Sequence, residues 1–250
     1  MIMFDKPRFI QNSFNVVFPR QAAIRRKAND FEDKLKGLYF QPQIISVPDE
    51  LDPEIPRIIF GSEHGYSQVI ISQVSFVLNV VYSPDWQVDI SKGKQYLNER
   101  VSILFELLKL LEGINPYFCG LSTKVQIASS TDDTALLKHV AKLFFKNENI
   151  EGTHDLQYKR TSIVSDRFYS NITLSNYRSW KIEPGQQAVL RVSSKEAINR
   201  GIEIVGDFND RYKFNEEKDY KSTADVAQTI IDGGIAEVEN VIKMIGGVLA

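Results

Sequence analysis

In this chain the apolar period switches between two residues and about 3.6, and it does so in the same order in each half. Phe76, Leu78, Val80 and Tyr82 occupy alternate positions with Ser75, Val77, Asn79 and Val81 between them, the pattern of a strand with one buried face. Before that block, Ile24, Ala28, Phe31, Leu35 and Leu38 step by four, three, four and three, which places them on one face of an α-helix. After it, Leu97, Val101, Leu104, Leu108 and Leu111 repeat those steps. Such a chain hides its apolar faces by layering helices on a sheet.

The pattern predicts a strand at 13–18, SFNVVF, ended by Pro19 and followed by the first helix. Turn clusters at VPDELDPEIP, GSEHGYS and ISQVS then separate four strands near 42–47, 57–62, 67–73 and 75–82, and their short links make them antiparallel. A long helix at 94–112 stops at Gly113 and Pro116. The second half has a strand at 123–130 and a helix capped by Asp132 and Asp133 that runs to about 146 through Leu136 or Leu137, Val140 and Phe144. Strand-like runs follow near 155–164, 168–180, 187–193 and 201–208. A closing helix at 223–246 carries Ile231, Ile235, Val238, Ile242 and Ile245 on one stripe, with Gly233 and Gly234 as a potential kink. The expected fold class is therefore α+β: two βαββββα repeats, residues 1–115 and 116–250, fused into one domain. Their curved antiparallel sheet has the long helices packed on one face.

Composition narrows the functional classes. A formal net charge of -2 provides no global field for nucleic acid or an anionic membrane, so either would need a local patch. The single Cys119 leaves no intramolecular disulfide and no cysteine-cluster zinc site, which suits a reducing compartment, and cytoplasm is the expected location. The N-terminal segment lacks a signal-peptide pattern, and no apolar run approaches a membrane span.

The element order resembles the TATA-binding-protein-like fold, in which two such units join their sheets into a saddle. That likeness implies an architecture and transfers no residue or function. The segments VVFPRQAAI, PRIIFGSEHGYSQVIISQVSFVLNVVYSPDW and GIEIVGDFNDRYKF resemble a sporadically distributed family of bacterial proteins of about this length. This second likeness implies a bacterial cytoplasmic protein and brings no established activity or site.

Catalytic patterns are weak. In GSEHGYS, His64 lies between Gly61, Ser62 and Gly65, residues suited to a hairpin connection, and it reads as an exposed turn histidine rather than an acid/base partner of Glu63. His64, His139 and His154 lack metal-ligand spacing, and Cys119 beside Phe118 reads as a small buried residue. No phosphate-binding glycine motif occurs. Asp207 and Asp210, with Glu216, Glu217 and Asp219 nearby, would serve a magnesium-dependent hydrolase, against the simpler reading of a solvated loop. The basic run Arg20, Arg25, Arg26 and Lys27 reads as a solvated helix face. No cofactor or metal is implied.

Residues 158–181 carry the richest mixture. Tyr158, Arg160, Arg167, Tyr169, Tyr177, Arg178 and Trp180 are the candidate binding residues, since Tyr, Trp and Arg dominate protein hot spots and can also stack bases and neutralise phosphates. Cross-strand aromatic pairing would account for them equally well. The expected function is a non-catalytic accessory protein with a protein partner or a second copy of itself. Nucleic acid on the same face is the alternative, and a metal-dependent hydrolase is the second alternative.

Overall fold

The computed structural model describes residues 2–145, 149–181, 193 and 196–246. The chain begins with β1 (Arg8–Val17), α1 (Ala28–Leu35), β2 (Gln43–Ile44), β3 (Ile58–Gly61), β4 (Ser67–Ile71), β5 (Ser75–Val81), α2 (Pro84–Gln87) and α3 (Ile90–Lys109). It continues with β6 (Phe118–Ala128), α4 (Asp133–Phe144), β7 (Gln157–Val164), β8 (Phe168–Ser179), β9 (Asn199–Asn209), α5 (Arg211–Glu216) and α6 (Ala224–Met244). The nine strands among the described residues join one curved antiparallel sheet in the order β2-β3-β4-β5-β1-β6-β9-β8-β7. The join between the halves is the pairing of β1 with β6, where Phe14 faces Leu121 and Val16 faces Cys119.

Strand alternation decides which face is buried. Phe14, Leu78, Leu121, Ile127, Ile172, Leu174, Ile202 and Ile204 have almost no exposure and form a continuous core with Leu97 and Leu104 of α3 and Ile230, Val238 and Ile242 of α6. The intervening Ser13, Asn79, Ser122, Lys124, Thr173, Glu203 and Asp207 are half-buried on the opposite, open face. Asp132 caps α4 by accepting from Ala135 N at 3.0 Å, and Thr223 caps α6 by accepting from Val226 N at 3.3 Å. Lys94 of α3 and Asp232 of α6 form an ion pair at 2.7 Å.

Several boundaries differ from the expected ones, each for a local reason. β1 starts at Arg8 instead of 13 because a bulge between Phe9 and Gln11 shifts the alternation and hides its first turnings from a period-two reading. Gly233 and Gly234 do not kink α6, which is one continuous helix. Instead they let Phe208 approach: a Cβ on Gly233 would lie 2.9 Å from the Phe208 ring. Residues 211–216 form the short helix α5 where a polar loop was expected. The expected strand near 187–193 falls almost wholly outside the described residues.

Candidate functional site

The stretch 158–181 does not make one patch. In β8 the buried Ile172 and Leu174 mark the helix-covered face, and their partners across the ladder are Arg160 and Tyr158. Arg178 shares that parity, whereas Tyr169 and Tyr177 belong to the open face. Residues adjacent in sequence are thus divided between two sides of the sheet.

The helix-side residues are engaged internally. Tyr158 packs 4.6 Å from Phe144 and 5.9 Å from Phe145 at the end of α4. Arg160 lies 3.8 Å from Glu237 of α6. The Arg178 side chain, 6% exposed, donates to Asp133 at 2.8 Å, Asp155 at 2.7 Å and the His154 carbonyl at 2.8 Å. Trp180 Nε1 donates to the Ser193 carbonyl at 2.8 Å. Arg167, in the β7–β8 turn, donates to Tyr220 and lies over the Phe168 ring. On the open side, Tyr169 meets Tyr212 of α5 edge to face at 5.4 Å. Burial raises the Tyr177 hydroxyl pKa, an effect opposed by nearby Arg8.

The acidic pair is likewise separated. Asp207 is on the open face, accepting from Asn171 at 3.2 Å and Asn209 at 3.0 Å. Asp210 is fully buried, accepting from Cys119 N at 2.6 Å and from the Tyr220 hydroxyl at 2.8 Å. Burial raises its pKa and pushes the Tyr220 hydroxyl up to about 12. Among the described residues no three His, Cys, Asp or Glu side chains gather as metal ligands. Cys119 is buried, which raises its thiol pKa and disfavours the thiolate.

The open face carries charges of both signs. Lys124 pairs with Glu203 at 2.9 Å, and Asp207 sits two residues before Asn209. One end is covered by α5, where Phe214 packs 5.6 Å from Phe118. The middle, around Ser122, Lys124, Thr173 and Val205, stays half-exposed.

A second feature was missed in the sequence. A pocket of about 350 Å³ opens beside the GSEHGYS turn, lined by Ser62, Glu63 and Tyr66 of that connection, Tyr82 and Ser83 after β5, Trp86 of α2, and Tyr96 and Arg100 of α3. His64 is not among its lining residues. It occupies the turn in a left-handed conformation at φ 65°, with its side chain 74% exposed. Tyr82 closes the pocket floor by accepting from the buried Asn12 at 2.8 Å and donating to the Gly93 carbonyl at 3.3 Å. Gly93 permits this, since a Cβ there would stand 3.3 Å from the Tyr82 ring. The signal in the sequence was the spacing of Tyr96 and Arg100, four residues apart on one helix face, following Trp86.

Compared with known protein families, characterised proteins and solved structures, the chain matches none. No helix among the described residues is long and apolar enough to cross a membrane.

Proposed function

We propose that this protein is a non-catalytic binding protein whose open sheet face receives a protein partner. The observation that carries the reading is the half-exposed middle of that face, where Ser122, Thr173 and Ser175 surround the Lys124–Glu203 pair. Small polar side chains with balanced charge suit the mixed chemistry of another protein surface. A nucleic-acid surface needs a surplus of cations free to replace counterions, whereas Arg167 and Arg178 are committed to internal partners and Arg160 stands 3.8 Å from Glu237.

We also infer that the sheet consists of two related units built on a βαββββα order, the second carrying three strands after α4 among the described residues where the first carries four. The strand order supports this reading. β1 and β6 meet at the centre, β5 and β9 flank them, and β4 and β8 follow outward. A long helix closes each half, α3 in the first and α6 in the second.

The test is affinity purification at low salt with mass spectrometry, using the wild-type protein and a Ser122→Arg/Thr173→Arg variant. Both sites are on the open face, so the variant should melt like the wild type and lose a stoichiometric partner. A partner retained by the folded variant would refute the assignment of this face. Co-purifying nucleic acid that is released by salt would favour the nucleic-acid alternative instead.

A further inference from the structure

The pocket beside the GSEHGYS turn holds a cation that forms no ion pair among the described residues. Arg100 projects from α3 one turn after Tyr96, and its guanidinium lies 4.9 Å from the Tyr96 ring centre and 5.6 Å from that of Tyr39. Among the described residues it donates no hydrogen bond and has no ion pair, and its Nε is buried without a partner. Arg25 and Arg57 also have a buried Nε without a partner, but their outer nitrogens find acceptors within the protein. The fully buried Arg57 donates to the Ile55 carbonyl at 2.6 Å, and Arg25 reaches Asp49 at 2.6 Å. A guanidinium oriented only by ring faces is pre-positioned for an anion that the protein does not itself provide.

The walls indicate the rest of the ligand. Tyr66 and Trp86 line the pocket while remaining 48% and 39% exposed, so each leaves a broad apolar surface in water. Trp86 is held edge-on to Tyr96 at 5.9 Å, which fixes its plane without covering it. A volume of about 350 Å³ is at the lower end for small-molecule sites and fits one or two fused rings. Glu63 stands at the rim, 77% exposed, and adds a negative charge beside the entrance. That charge penalises a phosphate dianion more than a monoanion, and so favours a singly charged anion such as a carboxylate.

We infer that this pocket binds a small planar monocarboxylate, with its ring against Tyr66 and Trp86 and its carboxylate on the outer nitrogens of Arg100. The site is independent of the partner-binding reading of the open sheet face. Arg100 has two roles in it: the cation pairs with the carboxylate, and its position over the Tyr96 ring keeps the guanidinium within the pocket before the ligand arrives.

The experiment is calorimetric titration of the full chain, supported by ligand-detected NMR, with indole-3-acetate and benzoate as probes and indole-3-acetamide and benzamide as their neutral counterparts. At least one acid should bind saturably in the millimolar range or tighter and exceed its amide by about tenfold, equivalent to ~1.4 kcal/mol. Arg100→Gln should abolish that preference. Glu63→Gln, at an exposed rim position, should tighten binding of the acid and keeps the test decisive if Arg100→Gln does not fold. The inference is overturned if neither acid binds, if acid and amide bind alike, if folded Arg100→Gln still prefers the acid, or if Glu63→Gln leaves the acid's affinity unchanged.

Discussion

Replacing Arg178 with Ala should destabilise the fold rather than remove a contact residue. The side chain is 6% exposed and ties β8 to the N-terminal end of α4 through Asp133 and to the segment before β7 through Asp155 and the His154 carbonyl. The three links are unequal. Asp155 is 67% exposed, so solvent screening limits that pair to about 0–1 kcal/mol. Asp133 is 22% exposed, and its charge-assisted bond and the one to the carbonyl contribute about 1–2 kcal/mol each. The expected loss is about 2–5 kcal/mol, or roughly 4–20 °C in melting temperature for a chain of this size. Urea denaturation with a circular-dichroism readout measures it directly. The pH dependence adds a second check. The hydrogen bond from Arg178, with a smaller share from Asn176, lowers the Asp155 carboxyl pKa. A lowered folded-state pKa gives stability that is complete above the ordinary carboxylate value and is lost as pH falls through the lowered one. The gap between wild type and variant should therefore narrow in acid. A variant that melts within a degree or two of wild type at neutral pH but loses its partner would refute this reasoning and restore Arg178 as a contact residue.

Gly206→Ala should cost about 1–3 kcal/mol by overpacking, because its Cβ would stand 2.5 Å from Val238 Cγ2 across the β9–α6 contact. Adding Val238→Ala should recover part of that loss, and strictly additive effects in chemical denaturation would show that the two side chains do not collide. Asp210→Asn should flatten the stability profile between the ordinary carboxylate pKa and the raised value that burial gives Asp210. In that window the wild-type carboxylate gains stability as pH falls, since the folded state holds its proton more tightly than the unfolded chain does. Parallel pH profiles for the two proteins would contradict this.

Much of the sheet was legible because its signal is local. From Ser75 to Val81 the alternation keeps one phase, and the buried Phe76, Leu78 and Val80 are the residues the pattern selects. The signal failed where the register changes or where position in the sheet outweighs residue type. The bulge in β1 breaks the phase between Phe9 and Asn12, both of which are buried. Arg57 carries a charge in an otherwise strand-like run, yet it is buried because the VPDELDPEIP connection folds over it and offers the Ile55 carbonyl. Gly233 and Gly234 carry a packing requirement set by Phe208 of β9, which no inspection of the helix by itself reveals.

The candidate sites diverge from the sequence reading for a geometric reason. A strand stretch rich in Tyr and Arg counts both faces at once, so the density at 158–181 was real while its two halves point away from each other. The pocket has the opposite property. Tyr66, Trp86, Tyr96 and Arg100 come from the β3–β4 connection, α2 and α3, and each is unremarkable among its sequence neighbours. They meet because β5 leaves the sheet at Tyr82 beside the turn that joins β3 to β4, and α3 then packs back across that end of the sheet. Contact-ready residues that are close in sequence can thus be structural, while those brought together by topology form the concave surface. In this chain the distinction is visible in the arginines: Arg178 has three acceptors and holds the fold, whereas Arg100 has none and faces an aromatic pocket.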